Sequence, residues 1–552
     1  MSSEQLDPSE TSAFRQACRE LANRIAAGTI DSEDLESAKL AVCGEFSAPK
    51  VPTNPEILDH ATAEQESAVE KVVRRKPVRT ASGVSPIAIM TSPAMCPHGK
   101  CLYCPGGPAS EFSSAQSYTG HEPAAARGVQ TDYDPYAQVT LRLHQYRTIG
   151  HPVDKAELIL MGGTLPARSH DYQEWFVKRA LQAMNAFDPD TRLDVDDPAE
   201  LIPTSEDHEF AYLEDVITRN EMARVRNIGT TFETKPDWCD VPQIDRMLRL
   251  GGTKVELGVQ TTHDDINRAM HRGHGTAASL TANRQLRDAG FKVGFHMMPG
   301  QPGMTRAMDR LDFQRLFEDP EWRPDYLKIY PTLVVAGTRV YDMWRRGEFE
   351  PLDTETAAEL VADIKAELPP YVRLQRVQRD IPAGFIDAGV QKSNLRQIAQ
   401  ERLADRGERC RCIRCREVGH ADGVPESVEL MVREYAAGGG REHFISIEDP
   451  TTDVLVGFCR LRFPNDPHRR ELQNAAIVRE LHVYGSEVPL ASTDEDRWQH
   501  RGFGQELMRE AEAIADDAGY EKLAVISGIG ARAYYRDQLG YFQDGPYVST
   551  ML

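Results

Sequence analysis

The sequence predicts an α/β protein: a partial (β/α)6 barrel followed by a smaller α/β domain, with a helical segment at the N-terminus. Two observations predict the barrel. Between about residues 86 and 335, six short apolar runs alternate with stretches of helical periodicity, which is the pattern of parallel strands joined by helices. Polar or glycine-rich sequence follows these runs, as expected where the carboxyl ends of barrel strands form one rim. Residues 423–552 alternate strands and helices a second time, which predicts the smaller domain.

Four segments are predicted along the chain. Residues 1–80 are expected to be helical and to end in a basic run, 81–345 to form the barrel, 346–422 to form an arginine-rich connector, and 423–552 to form the smaller domain. The basic run consists of Lys71, Arg74, Arg75, Lys76 and Arg79. The six predicted strands are Pro86–Thr91, Ala156–Met161, Val225–Thr231, Lys254–Val259, Lys292–Met297 and Tyr326–Thr332.

Composition restricts the class of protein. The 552 residues contain 85 acidic and 64 basic side chains, giving a net charge of −21. No apolar run is long enough to span a membrane and no signal peptide is evident, so we expect a cytoplasmic protein with no membrane partner. Only 14 of the basic residues are lysines, which suits a halophilic, salt-rich cytoplasm; ordinary acidic solubility is the alternative. Any nucleic acid must bind to a local basic surface.

The first cysteine triplet follows the first predicted strand. Cys96, Cys101 and Cys104 have the spacing Cys-x(4)-Cys-x(2)-Cys. Three thiolates can bind three irons of a [4Fe–4S] cubane and leave the fourth iron open, whereas a closed structural zinc site takes four ligands. The triplet therefore favours a cluster, and the alternative is a zinc knuckle with a distant fourth ligand such as His98.

The second triplet lies in the connector. Cys410, Cys412 and Cys415, followed by His420, form a ligand set and spacing that suit structural zinc. Cys459 competes with His420 as the fourth ligand, and three reduced thiols are the remaining alternative. We expect this site to pin the connector between the two domains.

A glycine-rich turn opens a helix in the smaller domain. The segment Gln499-His500-Arg501-Gly502-Phe503-Gly504 lets successive backbone N–H groups converge on a pyrophosphate at the positive end of the helix dipole. The preceding strand Ala476–Val483 and the later pair Tyr534 and Tyr535 complete a pattern that resembles GNAT acetyltransferases.

Longer segments carry a more specific resemblance. Cysteines after the first strand and Gly-Gly-Thr after the second are similar to the radical S-adenosylmethionine (radical SAM) superfamily. From about residue 70 to the C-terminus, the chain resembles the Elongator catalytic-subunit family in its archaeal form. The members of this family are tRNA uridine acetyltransferases. The matching segments include CPHGKCLYCPGG, QSYTGHEP, VDKAELILMGGT, TFETKPDWC, VELGVQ, HMMPG, YLKIYPTLVVAGT and RVQRDIPAGFIDAGVQKSNLR.

The resemblance implies binding residues in the barrel. Gly162, Gly163 and Thr164 would line the pocket for the methionine amine, Glu233 and Gln260 would lie near the nucleoside, and Lys155 would bind acetyl-CoA. The alternatives are a closed turn for the paired glycines, an ion pair with arginine for Glu233 and a solvent-facing position for Lys155. Lys235 stands where the family usually has arginine, which keeps the charge but loses the bidentate fork.

The resemblance also implies roles in the smaller domain. The backbone of Glu480, Leu481, His482 and Val483 would bind the pantetheine arm, and Phe503, Gly504, Gln505 and Glu506 would lie at the pyrophosphate. Tyr535, or else Tyr534, would protonate the departing thiolate. The choice stays open because the spacing from this pair to the next glycine is one residue longer than in the family. Glu480 is either a base that activates water or an ion-pair partner of Arg479 or Arg460.

The implied reaction is carboxymethylation of the tRNA wobble uridine. Reductive cleavage of S-adenosylmethionine gives a 5′-deoxyadenosyl radical, which takes a hydrogen from the acetyl methyl of acetyl-CoA, and the carbon radical adds to C5 of the uridine. An electron donor is required, and a homodimer is possible. The alternatives are a protein lysine acetyltransferase with a structural iron–sulfur barrel and a non-catalytic tRNA-binding scaffold. The residues expected to follow tRNA phosphates are the basic run and Arg373, Arg376, Arg379, Arg396, Arg402, Arg406, Arg409, Arg411, Arg414 and Arg416.

Overall fold

The computed structural model describes residues 12–32, 34–58, 60–62, 64–73, 83–188, 201–202, 211–420, 425, 427–484 and 502–552. Three units follow one another: a helical N-terminal segment, a sheet of seven parallel strands joined by helices, and a second seven-stranded sheet. The predicted α/β class is confirmed. Within the described ranges, every helix is too short or too polar to cross a membrane.

Four helices form the N-terminal segment around an apolar core of their own. In the first helix the buried residues, from Phe14 to Ile25, recur at helical spacing, so one face of the helix packs against its neighbours. Most of the predicted basic run, from Arg74 onward, lies outside the described residues. The helices are α1 Ser12–Ala26, α2 Leu35–Phe46, α3 Asn54–Leu58 and α4 Glu66–Val73.

The first sheet consists of β1 Ser85–Met90, β2 Lys155–Met161, β3 Arg226–Thr234, β4 Lys254–Gln260, β5 Lys292–Met297, β6 Tyr326–Ile329 and β7 Arg373–Val377. Neighbours in the sheet are neighbours in sequence, and each pair is parallel. All six strands predicted from the sequence are present, with ends that differ by at most three residues.

Helices cover the outer face of this sheet. Outward side chains such as Leu158 in β2 and Val255 in β4 are wholly buried in one core with the helices, as expected where helices cover a parallel sheet. The helices of this unit and the connector are α5 Pro123–Gln130, α6 Pro135–Thr148, α7 His170–Ala186, α8 Leu213–Asn220, α9 Val241–Arg249, α10 Asp264–Ala269, α11 Thr276–Asp288, α12 Arg306–Glu318, α13 Arg339–Arg345, α14 Thr354–Glu367, α15 Leu395–Asp405 and α16 Ile413–Arg416.

The seventh strand differs from the expectation of six. It lies within the segment assigned to the connector and continues the sheet beside β6, with Tyr326 opposite Arg373. Three of its five residues are Arg373, Gln375 and Arg376, so it lacks the apolar run by which the other strands are predicted.

The second sheet consists of β8 Glu429–Ala437, β9 Gly440–Asp449, β10 Val454–Phe463, β11 Ala475–Val483, β12 Lys522–Val525, β13 Phe542–Asp544 and β14 Tyr547–Met551, and helix α17 Phe503–Asp517 packs against it. The strand order is β13-β14-β12-β11-β10-β9-β8. The pair β11 and β12 is parallel and ends at Val478 opposite Val525. Beyond that point β11 continues, paired with β10, as far as Val483.

The second sheet docks where the barrel strands begin. Arg479 donates a hydrogen bond of 2.9 Å to the carbonyl of Phe291, just before β5. Gly528 lies so close to the backbone of Ile228 that a Cβ atom there would be 2.0 Å from its carbonyl oxygen. The smaller domain therefore covers the end of the barrel opposite to the rim on which the first cysteine triplet follows β1.

Buried ion pairs hold the two sheets together. Asp325 accepts hydrogen bonds from Arg287 and Arg479, and Glu442 accepts from the same arginines and from Arg462. These side chains are at most 1% exposed. Burial alone would raise the pKa of Asp325, but the guanidinium groups of Arg287 and Arg479 hold it well below its ordinary value.

Candidate active site

The first cysteine triplet lies on the loop that leaves β1. Cys101 and Cys104 are buried, and Cys96 is half-buried. Two tight turns shape the loop, because the N–H of Gly99 donates to the carbonyl of Cys96 and the N–H of Cys104 donates to that of Cys101. All three cysteines line one cavity at the carboxyl ends of the barrel strands.

Donors surround the Cys101 sulfur. The His98 Nε2 atom lies 3.1 Å from it, and Nη1 of the buried Arg272 lies 3.5 Å from it. A hydrogen bond from the Cys104 thiol, together with the charges of Arg272 and His98, outweighs burial and lowers the pKa of Cys101 to about 3. Since the thiolate is the form that binds metal, the surroundings favour ligation.

The second triplet is spaced for a single ion. The sulfurs of Cys410, Cys412 and Cys415 all lie within 4.8 Å of one another. Zinc binds thiolates at about 2.3 Å, so sulfurs on one ion lie no farther apart than about 4.6 Å. The first triplet supplies three thiols on the loop after β1, which is the number that a cubane with one open iron takes.

Gly162, Gly163 and Thr164 follow β2 and adjoin the cysteine loop. Gly162 has φ of +127°, and a Cβ atom there would lie 2.0 Å from Thr91 Oγ1. A Cβ atom on Gly163 would lie 3.6 Å from Cys96 Sγ, and Thr164 Oγ1 lies 3.9 Å from the same sulfur. Because the glycines let the backbone pass close to the triplet, their position suits the predicted role in holding S-adenosylmethionine.

Replacing Gly162 with alanine tests this geometry. We expect Gly162→Ala to retain iron but to weaken S-adenosylmethionine binding by at least about tenfold, because strain of about 1–3 kcal/mol falls on the segment beside the triplet. Titration calorimetry on anaerobic protein measures the affinity. Gly28→Ala is the control, since Gly28 also has positive φ but has open space around its Cβ position. Wild-type affinity in Gly162→Ala would contradict the assignment.

Glu233 and Gln260 both line the cavity, as predicted. Glu233 accepts a hydrogen bond of 2.9 Å from the Tyr118 hydroxyl and one of 3.0 Å from Lys328 Nζ. Its ion-pair partner is Lys328, whereas the alternative reading of Glu233 named an arginine. Gln260 has φ of +72°, a conformation that is uncommon for residues other than glycine.

Several buried polar atoms at the cavity have no hydrogen-bond partner within the described part of the chain. They include His98 Nδ1, Thr234 Oγ1 and Gln260 Oε1. Buried polar atoms are normally hydrogen-bonded, so these atoms are suited to bind a ligand. With the three thiols and the two glycines, they fit a cluster together with S-adenosylmethionine.

A chain of charged side chains continues from the cavity through the barrel interior. Lys254 Nζ lies 2.7 Å from Glu157 and 3.5 Å from Glu256, which also contacts Lys328 and lies 2.9 Å from His296 Nε2. Sequence reasoning missed these residues because buried charges look like exposed positions in a sequence. One sequence signal could have identified them: along each strand they alternate with apolar residues that face outward, which places the charged side chains inside the barrel.

The predicted acetyl-CoA groove lies where β11 and β12 diverge. The stretch Glu480–Val483 pairs with β10 but has no pairing with β12. Helix α17 begins nearby, and its N-cap Gly502 has φ of 78° and provides no capping side chain. The unpaired strand edge suits a pantetheine arm, and the uncapped helical N–H groups suit a pyrophosphate. The first turn contains Phe503, Gly504, Gln505 and Glu506, whereas Gln499, His500 and Arg501 lie outside the described residues.

Tyr534 and Tyr535 begin a five-residue π-helix. A π turn holds more residues than an α turn, which accounts for the extra residue before Gly540. Tyr535 is buried in one core with Cys459 on β10, the strand beside β11. The Tyr534 hydroxyl adjoins α17 instead, since a Cβ atom on Gly504 would lie 3.0 Å from it. Tyr535 therefore packs inside the sheet core beside β10, and Tyr534 packs at the start of α17, where the pyrophosphate is expected.

Glu480 faces the barrel. The pairing of β10 with β11 shifts by one residue at Arg479, and such a bulge re-aims side chains. Glu480 Oε2 accepts a hydrogen bond of 2.8 Å from Arg460 Nε, and Oε1 accepts one from the Tyr326 hydroxyl. Burial would raise the pKa of Glu480, but the charges of Arg460 and Lys292 lower it overall. The geometry matches the ion-pair alternative with Arg460 rather than a free base.

Lys155 is the first residue of β2 and is half-buried. Its cross-strand neighbour is Arg226, against which Gly530 of the smaller domain packs tightly. Lys155 therefore lies at the barrel end that meets the smaller domain, which suits the predicted contact with acetyl-CoA.

The second triplet lies between the two sheets. The N–H of Ile413 donates to the carbonyl of Val372, next to β7, and Glu417 forms a bridge to Leu455 in β10. His420 does not join the thiol group; its Nε2 lies 2.8 Å from Glu417. Cys459 belongs to the core around Tyr535 instead. The structure therefore brings together three ligands, and neither predicted fourth ligand lies with them.

Most connector arginines already have partners. Carboxylates of α14 and residues near β9 and β10 bind their guanidinium groups, which differs from the expectation that they follow phosphates. The abundance of acidic residues explains the difference, because a carboxylate is close to most arginines. Arg376 and Arg379 also line the cavity. The arginines paired with carboxylates are Arg373, Arg376, Arg379, Arg402, Arg406, Arg409, Arg411 and Arg416.

Family models match almost the whole chain. The Radical SAM superfamily matches residues 91–313 and the Radical SAM C-terminal domain matches 324–405. The Acetyltransferase (GNAT) family matches 415–541, and the ELP3 N-terminal domain matches 14–81. The two catalytic units described above thus correspond to two enzyme families.

Relatives match over nearly the full length. The tRNA uridine(34) acetyltransferase of Methanocaldococcus infernus is 46% identical, covering 91% of this chain and 92% of the relative. Elongator complex protein 3 of Saccharomyces cerevisiae is 40% identical, covering 98% and 97%. A solved structure of the M. infernus Elp3, lacking residues 1–46, aligns with a TM-score of 0.72 and 41% identity over 85% of this chain and 100% of that chain. The chain therefore belongs to the Elongator catalytic-subunit family, in its archaeal, radical SAM and GNAT form.

Proposed function

We propose that the protein converts uridine 34 of tRNA to 5-carboxymethyluridine, with acetyl-CoA and S-adenosylmethionine as cosubstrates. One observation carries the proposal: a single chain holds a three-cysteine cavity at one end of a barrel and a GNAT groove at the other. An acetyl methyl group needs a radical to react with the uracil ring, and the thioester needs a coenzyme A site. The names of the archaeal relatives support the same reaction.

The chain's own residues supply binding and orientation at the cavity. Cys96, Cys101 and Cys104 would hold the cluster, which when bound supplies the electron that cleaves S-adenosylmethionine. Gly163 leaves space beside them for the amino acid end of that cosubstrate. Glu233, fixed by Tyr118 and Lys328, presents a rigid acceptor to the nucleoside.

The smaller domain would hold the thioester. The unpaired edge of β11 and the start of α17 bind the coenzyme, and Tyr535 remains protonated because burial raises its pKa. A protonated tyrosine can donate to the departing thiolate when the thioester is hydrolysed. Zinc at the second triplet, an electron donor, a homodimer and a cytoplasmic location accompany this proposal as predictions.

Nucleoside mass spectrometry tests the function. Reduced, cluster-loaded protein is incubated anaerobically with tRNA, acetyl-CoA and S-adenosylmethionine, and then with each component omitted in turn. We expect 5-carboxymethyluridine only in the complete mixture. Unmodified uridine after complete incubation would contradict the proposal, and acetylated peptide in its place would favour a lysine acetyltransferase.

The roles of Tyr534 and Tyr535 can be distinguished by single substitutions. We expect Tyr535→Phe to lower the rate of acetyl-CoA hydrolysis in the presence of tRNA by about 10²–10⁴-fold, since it removes a general acid. Tyr534→Phe is the matched control and should mainly affect the KM for acetyl-CoA. A thiol-release assay measures both variants. Equal loss of rate in the two variants would contradict the assignment to Tyr535.

A further inference from the structure

An aromatic cluster lies beside the cavity and has no role in the proposed chemistry. His121 and Phe385 stack with ring centroids 4.0 Å apart and planes 15° apart. Phe112 contacts both rings edge-on, with centroids 6.1 Å and 6.4 Å away. We call Phe112, His121 and Phe385 the aromatic platform.

Two of the three platform rings are exposed. Phe385 is 36% exposed and lies on a short turn, Ala383–Phe385, in which no residue is buried. His121 is also exposed. Stacking against His121 holds the Phe385 ring in a fixed orientation while part of its surface stays accessible to solvent.

The platform lies on two chain segments that also supply cavity-lining residues. His121 lies between Tyr118 and Glu122, which both line the cavity. Phe385 follows Arg379, another lining residue, by six positions. Arg379 joins the two segments, because it donates to the carbonyl of Ser117 and lies 3.8 Å from Glu122. The rings therefore belong to the same wall of the site as residues that face the substrate cavity.

The cavity lining carries both charges. Its cations are Lys235, Arg272, Lys328, Arg376 and Arg379, and its carboxylates are Glu122, Glu233, Glu256 and Asp380. Arg379, 3.8 Å from Glu122, and Arg376, paired with Asp380, are the cations on the segments that carry the platform. A flat, accessible aromatic ring beside cationic groups is the arrangement by which proteins bind single-stranded nucleic acid, whose bases stack on rings and whose phosphates contact cations.

We propose that the aromatic platform stacks on the base of a nucleotide directly next to the target uridine; this rests on the proposed function. A base that enters a cavity for chemistry leaves the stack of its neighbours. Its neighbour then loses a stacking partner, and the Phe385 ring replaces it. The platform thereby fixes the register in which the RNA presents its uridine to the cavity.

Fluorescence of a base analogue tests the contact without requiring turnover. Anticodon stem-loop RNAs carry 2-aminopurine at position 33 or 35, beside uridine 34, and are titrated with the protein. We expect one of the two probes to be quenched in the wild-type complex, to regain emission with Phe385→Leu, and to stay quenched with Phe385→Trp. RNA affinity should fall by about fivefold or more in Phe385→Leu, as expected for loss of one stacked base.

A matched control and a separate assay make the outcomes distinct. Phe542→Leu alters another exposed phenylalanine, 45% exposed, on β13 of the other sheet, and should leave both signals unchanged. Quenching at neither position, or quenching that persists in Phe385→Leu, overturns the platform. If wild-type protein also forms no 5-carboxymethyluridine, the proposed function fails; if modification proceeds without quenching, only the platform fails.

Discussion

Replacing Cys101 with serine should abolish formation of 5′-deoxyadenosine and of 5-carboxymethyluridine. Cys101 is the most strongly activated thiol of the triplet, because the Cys104 thiol, Arg272 and His98 favour its thiolate. Loss of a residue that merely supports a metal ligand costs about 10- to 100-fold, so loss of a ligand should cost more. We therefore expect no detectable product and a large loss of bound iron.

The measurement combines iron and sulfide analysis with chromatography of 5′-deoxyadenosine after anaerobic reduction. Cys43→Ser is the matched control, because Cys43 is a buried thiol in the N-terminal helices, remote in sequence from both triplets. Its iron content should equal that of wild type. Full iron content and turnover in Cys101→Ser would show that this thiol is not a ligand.

Replacing Asp325 with asparagine should have the largest effect on stability. Asparagine keeps the shape of the side chain but removes the charge that faces Arg287 and Arg479, both wholly buried. Breaking a buried pair by removing one partner costs about 3–5 kcal/mol, since the remaining charge is left uncompensated. We expect the denaturant midpoint of unfolding to fall accordingly, with the interface between the two sheets lost first.

An exposed ion pair provides the control for Asp325. Asp363 pairs with Arg310 and Arg406 at the protein surface, and exposed pairs contribute about 0–1 kcal/mol. Asp363→Asn should therefore hardly move the midpoint measured by circular dichroism. An unchanged midpoint in Asp325→Asn as well would mean that the buried charges do not hold the domains together.

Strands with apolar runs and the cysteine loop could be predicted from the sequence, because burial against helices imposes a local pattern. Strand β7 could not, since Arg373, Gln375 and Arg376 interrupt any apolar run. The interior carboxylates and lysines, such as Glu256 and Lys328, were missed for a related reason. Each of them is stabilised by a partner on another strand, and partners distant in sequence leave no local signal.

The binding partners of the arginines are also distant from them in sequence. The connector arginines appear in the sequence as a basic surface, yet Arg402 and Arg406 bind carboxylates of α14. Conversely, Arg462 and Arg479 lie in apolar strands and become the centre of the domain interface. Sequence motifs can identify a candidate binding residue, but the charges around that residue can be known only from the folded structure.

Deuterium transfer tests most directly whether both sites act on one acetyl group. Wild-type protein is reduced anaerobically with tRNA, S-adenosylmethionine and acetyl-CoA whose methyl group is fully deuterated, and the 5′-deoxyadenosine is examined by mass spectrometry. We predict 5′-deoxyadenosine that has gained one deuterium and 5-carboxymethyluridine that retains two. Modified uridine formed alongside unlabelled 5′-deoxyadenosine would contradict the account.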